Sequence, residues 1–485
     1  MISSPQPSKQ EPSAIVVTPH RRRVARNLVA NVAVQALNKL FPIIVYAYAQ
    51  RKLGTEGLGH ALFALALVDW TTPLVEAGTG SYGQIAVGRE HDQPERMERL
   101  LGEIITIRGI NALIALIGLV LVLAGPYADY REIALAISFM TVATAIDMSY
   151  VQTGTQRIWA LSALNAGSKI LVFLLLFVVV RGKEDVTEFA MLLAAGNALF
   201  CMGTFSAGVR RWRPRLPSRS ALTSTYRAIL PFAVAVGLCY SLEKFDYMLV
   251  EAQSTPVEIG LYGGISRIFI SIQALLPALG LAFGAEMLGA RDPETFTRQV
   301  ERSLGFLALL VAPITVGVWF VAKPLLSLLY DPSYTSAATS FSLLCMSCVP
   351  YAFFFAIGLQ ALTTRGAVHR VNGAMAVGLV VGVAIGLVLV PRLGMLGAAI
   401  AVLGAKLAAV LTILPSTPAM IAPRRLVAVT APSFAAAFLM GFTLWAIGST
   451  DLWLTIIIGT VVYVPATALF NSRWLGPIVR RRRRG

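Results

Sequence analysis

Charge is scarce in this chain. Only 14% of its 485 residues are Asp, Glu, Lys or Arg, where a soluble domain carries about 25%. Histidine is scarcer still, and His20, His60, His91 and His369 are scattered through the tail and the ends of apolar runs. The four cysteines, Cys201, Cys239, Cys345 and Cys348, all lie inside apolar runs. Cys345 and Cys348 have CxxC spacing, but no second pair or nearby His accompanies them, so they read as packing residues and no metal site is expected. Soluble-enzyme motifs are not apparent either: there is no Walker A GxxxxGK[ST], no GxGxxG after a strand, no HExxH and no GxSxG. The longest interior loops run to about 20 residues, too short for the extramembrane domain of a glycosyltransferase or ligase. No cofactor is expected, and the chain does not read as an enzyme.

What the chain has is long apolar runs, one after another. Hydrophobic residues make up 56% of it and mean hydropathy is +0.69. The runs are continuous rather than alternating, which excludes a β-barrel. Only helices or closed barrels satisfy every backbone group in lipid. The expectation is therefore an all-α polytopic membrane protein with about fourteen transmembrane spans, from 28–49 to 451–470. A net charge of +16 would suit nucleic acid, but the positions of the charges argue for topology instead. With the N-terminus inside, the expected inner segments hold 28 Lys and Arg and the outer loops hold 7. That bias holds through every alternation and places both termini in the cytoplasm. Arg480–Arg484 then reads as a topology signal that contacts anionic lipid.

The chain also repeats. LGTEGLGHA (53–61) returns as TPVEIGLYGG (255–264), and GREHDQPERMERL (88–100) returns as GARDPETFTRQVERSL (289–304), both offset by about 200 residues. Two parallel six-span units follow, with a cleft between them near the midplane. The expected layout is a disordered tail (1–24), a first bundle (25–210), a basic linker (211–227), a second bundle (228–415), two extra spans (424–472) and a basic tail (473–485).

Polar residues inside apolar spans are costly and mark cavities or pairs. Span one puts Asn31, Gln35, Asn38, Lys39 and Pro42 on one helical face. Span two has Asp69, Pro73 and Glu76, again on one face. Span seven carries Tyr240, Lys244, Tyr247 and Glu251 on one stripe, with Glu243 and Asp246 beside it. Span eight carries Tyr262, Ser266, Arg267, Gln273 and Pro277. Lys39 and Arg267 sit deep in corresponding parts of the two units and are the leading cavity cations. Lys169, Arg108, Lys406, Gln35, Asn38, Gln273 and Tyr247 complete the candidate substrate-binding set. Asp69, Asp147, Glu243 and Asp246 are candidates for coupling to H+ or Na+. The competing reading for Glu76, Arg108, Glu243, Glu251 and Glu286 is a structural pair or a snorkelling side chain. Lysine and arginine on a midplane face suit an anionic substrate, because Arg grips phosphate bidentately and Lys acts as a point charge.

Three motifs carry a resemblance: EIGLYGGISRI (258–268), the turn LLSLLYDPSYTSAA, and LVPRLGMLGAAIAVLGAK (389–406). With LGTEGLGHALFA and DWTTPLVEAGTG in the first unit, the chain resembles the polysaccharide transporters of the multidrug/oligosaccharidyl-lipid/polysaccharide (MOP) exporter superfamily over about 25–415. The turn departs from the family pattern by placing Asp331 in a Gly position. The resemblance implies a bacterial inner-membrane flippase for polyprenyl-pyrophosphate-linked oligosaccharide. Its two bundles open alternately, and the lipid tail stays in the bilayer, with the two extra helices as its groove. It also implies a monomer among membrane lipids, with a polysaccharide polymerase and glycosyltransferases as possible partners and no nucleic acid. It transfers no single site motif, so Lys39 and Arg267 rest on the residue argument alone. The rivals are a cation-coupled multidrug exporter of the same fold, which would favour an acidic cavity, a membrane polymerase or ligase, and a lipid scaffold without transport.

Overall fold

The computed structural model describes residues 19–470, except 126, 156, 278–279, 281–282, 284–286, 288–291, 417–421 and 449–450. Side chains are described from Phe41 onward, leaving out Pro42, Ile43, Ile158, Pro256 and Pro423. Both expected tails beyond these limits, with Arg480–Arg484, and Glu286 lie outside the described residues, as do the side chains of Asn31, Gln35, Asn38 and Lys39.

Among the described residues every regular element is helical. Helix α1 (Pro19–Asp69) is interrupted only at Gly54, whose φ of 76° and ψ of 173° are non-helical. The two expected spans at the start of the chain are thus the two arms of one element. The second arm breaks at Trp70 and continues as α2 (Thr71–Glu76) and α3 (Thr79–Glu90). Pro73 explains the first break: it has no N–H for the carbonyl of Asp69, four residues back. That freed carbonyl accepts the hydroxyl of Tyr240 at 3.0 Å instead. Ala77 (φ 41°) and Gly78 (φ 77°) make the second break. The first unit goes on through α4 (Pro94–Ala124), α5 (Arg131–Ile137), α6 (Phe139–Ile146), α7 (Ser149–Gly154), α8 (Ile158–Val179) and α9 (Val186–Val209). The polar expected fourth span is the bent pair Ala128–Ile137 and Phe139–Gly154, at 41°.

The second unit comprises α10 (Arg219–Gln253), α11 (Pro256–Gln273), α12 (Pro293–Leu329), α13 (Ala338–Met346), α14 (Cys348–Phe353), a π-helical turn (Phe354–Leu362), α15 (Val368–Leu393) and α16 (Met395–Ile413). Helix α17 (Pro423–Ile447) packs on α12, and α18 (Leu452–Phe470) packs on both. Twelve described helices are long and apolar enough to span a membrane, or thirteen with the bent pair counted as one. This count takes α1 only from Ile44, so it does not bear on the first of the fourteen expected spans, 28–49. The units meet chiefly along α1 and α11. There a Cβ on Gly260 would lie 2.2 Å from the Thr55 carbonyl oxygen, so only glycine permits this approach.

The linker 210–218 is strapped to the first unit. The Arg215 amide donates to the Glu98 carbonyl at 2.9 Å, and its Nε lies 2.7 Å from the Glu98 carboxylate. This linker defines one end of the molecule; the turns around Gly54, Val180, Gln253 and Tyr330 define the far end.

Arg108, expected in the cavity, and Asp147, expected at an ion-coupling site, lie together inside the first unit. Arg108 is 1% exposed. Its Nε donates to the Thr79 hydroxyl at 2.6 Å and its Nη1 to the Asp147 carbonyl at 2.6 Å, with the Asp147 carboxylate 3.9 Å away. That carboxylate also accepts the hydroxyls of Thr204 and Ser149, each at 2.6 Å. Asp147 is extended (φ −61°, ψ 125°) at the α6–α7 break, which frees its carbonyl for Arg108. The cluster joins α3, α4, α6, α7 and α9. Breaking a buried pair from one side costs about 3–5 kcal/mol. Arg108→Met should therefore lower the melting temperature of the purified protein and its yield; an unchanged melt would show that the pair does not hold the unit together.

Candidate functional site

The cleft between the units is nearly closed. It retains a cavity of about 30 Å³ lined by Asp69, Trp70, Glu243, Lys244, Tyr247 and Arg267, among others. That is roughly one water molecule's share of liquid volume. Asp69, from the first unit, accepts the Tyr240 hydroxyl at 2.6 Å and pairs with Lys244 at 3.2 Å, both from α10. Arg267 on α11 sits over the ring of Tyr46 on α1, 5.4 Å from its centroid. Among the described residues its guanidinium makes no hydrogen bond or ion pair. Its electrostatic neighbours are Tyr46, Tyr247, Asp69 and Tyr240. Cation–π contact holds the group in place while its five donors stay available.

The other sequence-predicted residues are distributed as follows. Tyr247, Glu243 and Asp246 line the cleft with Arg267 and Asp69. Asp246 accepts the hydroxyl of Tyr262 at 2.5 Å. Lys406 and Gln273 are not in the cleft. Lys406 is buried inside the second unit, donating to Gln273 Oε1 and to the Ser347 hydroxyl at 3.0 Å, with the Phe269 ring 4.5 Å away. Both line a separate cavity of about 40 Å³, which Glu243 also borders. Lys169 lies against the Phe41 ring at 6.0 Å, outside both cavities. The structure thus assembles Arg267, Tyr247, Asp69, Glu243 and Asp246 at one place. It removes Arg108, Asp147, Lys406, Gln273 and Lys169 from that place. The side chains of Gln35, Asn38 and Lys39 lie outside the described residues.

Sequence reasoning missed what closes the cleft. At the far end Gln50 Nε2 donates to Asp331 Oδ2 at 2.7 Å, and the Tyr334 hydroxyl bridges Gln50 Oε1 (3.1 Å) and the Gly260 carbonyl (3.2 Å). Arg51 adds a bond to the Leu328 carbonyl at 3.1 Å. Part burial pushes the Asp331 carboxyl up, but hydrogen bonds from Ser333 and Gln50 outweigh it and hold it below its ordinary range. Its contribution is therefore complete at neutral pH and is lost as pH falls through that depressed value. At the linker end Thr225 donates to Glu103 at 2.7 Å, Tyr226 donates to Asn111 at 2.8 Å, and Gly78 presses on the Phe232–Ala233 backbone. Among the described residues the units thus touch at both ends, with Arg267 between them.

This closed two-unit arrangement can be set beside known proteins. A family model described as "Polysaccharide biosynthesis protein" matches residues 24–277, more than half of the chain. The chain belongs to the polysaccharide biosynthesis protein family. A second model, MatE, matches residues 231–388. No curated protein matches by sequence. Among solved structures, "Lipid II flippase MurJ, inward closed conformation" superposes with a TM-score of 0.77 at 14% identity, covering 92% of this chain and 99% of that one. An inward-facing "multidrug resistance MATE family transporter of the MOP superfamily" gives 0.59 at 15% identity, covering 83% and 99%. At such identities these likenesses show a shared fold alone.

Tyr334→Phe removes the far-end hydroxyl bond that crosses between the units, from Tyr334 to Gln50, a loss of about 0.5–1.5 kcal/mol. Spin labels at Lys183→Cys and Ser336→Cys, with the four native cysteines replaced, should report a longer-distance population enlarged about two- to tenfold. An unchanged distance distribution would mean that the latch does not hold this end shut.

Proposed function

We propose that the chain is a flippase that carries a polyprenyl-pyrophosphate-linked oligosaccharide across a bacterial cytoplasmic membrane by alternating access. The observation that carries this reading is the Arg267 guanidinium, held in the inter-unit cleft by Tyr46 with no described carboxylate bound to it. Asp69 is neutralised by Lys244 and Asp246 is hydrogen-bonded to Tyr262, so Arg267 is the cation left for a ligand. A pyrophosphate matches its planar, bidentate donors. The cleft has to open to admit the substrate, because 30 Å³ holds no sugar. Tyr46, Tyr240 and Tyr247 then offer rings and hydroxyls to the glycan. Family membership and the likeness to a lipid II flippase support the reading. The linker end is taken as cytoplasmic, with both termini, from the distribution of Lys and Arg.

A place for the lipid tail is also present. An apolar groove of about 730 Å³ runs between α12, α14, α16 and α17, walled by Trp319, Phe320, Leu403, Phe438, Phe442 and Trp445. Its size and lining suit a long hydrocarbon. On this reading α17, outside the repeat, supplies a wall of the tail groove.

A second reading, cation-coupled multidrug export, draws on the acidic residues of the same cleft. Asp69, Glu243 and Asp246 outnumber Lys244 and Arg267 there. Efflux of a cationic dye from loaded proteoliposomes, unaffected by added lipid-linked oligosaccharide, would favour it.

Arg267→Ala should abolish surface-polysaccharide export in cells while leaving the protein at its normal level. Arg267→Lys keeps the charge but loses the fork, and should lower flipping about 10–100-fold, the worth of a hydrogen bond to a charged group. Wild-type export by Arg267→Ala would remove the residue from the site. Leu403→Trp narrows the tail groove and should slow flipping of a long polyprenyl substrate several-fold more than that of a short-chain analogue. Equal effects on the two would show that the tail travels elsewhere.

A further inference from the structure

Beside Arg267 the cleft holds a second group of side chains that phosphate binding does not use. Trp70 and Asp69 are consecutive residues at the break between α1 and α2, and both line the cavity that Arg267 lines. Trp70 meets the ring of Tyr240 edge to face, with centroids 5.7 Å apart and ring planes at 81°. Whichever ring presents its edge, at least one face of the indole is left uncovered by Tyr240. Among the described residues the indole N–H makes no hydrogen bond, so a donor accompanies that face.

Asp69 places a carboxylate next to the indole. Its Oδ2 takes the hydroxyl of Tyr240 at 2.6 Å and the ammonium of Lys244 at 3.2 Å. Its Oδ1 makes no hydrogen bond among the described residues, and 32% of the side chain is exposed. Both partners of Oδ2 belong to the second unit, so they are contacts of the shut cleft. Separation of the units takes them away, and hydroxyls of a ligand can replace them. The Tyr247 hydroxyl, in the same cavity, is also buried without a hydrogen-bond partner among the described residues.

The chemistry of this group narrows the ligand. A hexopyranose with equatorial hydroxyls carries C–H bonds on both faces and hydroxyls around its rim. The weakly positive C–H hydrogens suit the negative face of an indole, and the rim hydroxyls suit Asp69 Oδ1 and the indole N–H. Charge narrows it further. With Arg267 given to the pyrophosphate, Asp69, Glu243 and Asp246 face the cavity against Lys244 alone. A carboxylate on the sugar would meet like charge there.

We propose that Trp70 and Asp69 form a sugar subsite that selects an uncharged hexopyranose over a uronic acid as the first sugar of the glycan. The indole stacks on the sugar and Asp69 accepts its hydroxyls. The subsite rests on the flippase reading and deepens it. Arg267 of the second unit holds the pyrophosphate and Trp70 of the first unit holds the sugar next to it. The substrate then bridges the units in place of the bonds from Asp69 to Tyr240 and Lys244.

The test measures equilibrium binding of three lipids to the purified full chain in detergent. They are polyprenyl pyrophosphate, the same lipid carrying one glucose, and the same lipid carrying one glucuronic acid. Wild type should bind the glucose lipid about tenfold more tightly than either of the others, the worth of one hydrogen bond to a charged group. Trp70→Leu keeps apolar bulk and should lose that preference while binding the bare lipid as wild type does, which also shows that the variant is folded. Trp70→Phe keeps a smaller ring and should retain a preference of about threefold; it decides the matter if Trp70→Leu does not fold. Asp69→Asn removes a negative charge and should narrow the gap between the glucose and glucuronic acid lipids. Equal binding of the bare and glucose lipids by wild type, or an undiminished preference in the Trp70 variants, would overturn the subsite. Arg267→Ala should weaken all three lipids alike. If it binds all three as wild type does, the flippase reading suffers, and the ratio between the lipids still decides the subsite.

Discussion

The arrangement depends on one contact: a guanidinium held over a tyrosine ring between two helical units. Arg267 belongs to the second unit and Tyr46 to the first. A charge in an apolar setting needs a partner, and charges inside bilayer spans cost several kcal/mol or more. Elsewhere in this protein that need is met within one unit, by Asp147 for Arg108 and by Gln273 and Ser347 for Lys406. At the interface Arg267 is met by an aromatic face with no hydrogen-bond or ion-pair partner beside it among the described residues. The contact fixes position and leaves the donors to a ligand.

Closure of the cleft follows from the same interface. Gly260 lets α11 approach the Thr55 backbone, and the Gln50–Asp331–Tyr334 bonds then become possible. At the other end, Gly78 allows α10 to lie against the broken second arm of α1 and its continuation. These contacts are few and local, which suits a joint that opens and shuts. The Arg108–Asp147 cluster, by contrast, ties five helices of one unit and suits a body that moves as a whole.

Much of this was legible in the sequence. Apolar runs, loop charges and the internal repeat gave helices, units and a cleft, and Arg267 stood out because it interrupts a run that would otherwise be plain. Arg108 looked equivalent and was not. Whether an in-span charge lines a cavity or fills a core depends on its neighbours, and Thr79 and Asp147 reach it only through the breaks after α2 and α6, which apolar periodicity does not register. Lys406 and Gln273 were read as cleft residues because both are polar groups inside apolar spans; their partnership across 133 positions turns them inward. The latch between Gln50 and Asp331 spans 281 positions, and no local signal announces so distant a pair. Glu251 was read as a structural pair, yet none of its pairing partners is found among the described residues.

The central claim is that the cleft recognises an anionic phosphate head through Arg267 rather than a neutral or cationic ligand. Equilibrium binding of polyprenyl pyrophosphate and of the matching uncharged polyprenol to the purified protein tests it most directly. The account predicts that the pyrophosphate lipid binds at least about tenfold more tightly, about 1.4 kcal/mol, and that this preference shrinks with added salt. Equal affinity for the two lipids, or a preference for the polyprenol, would contradict it.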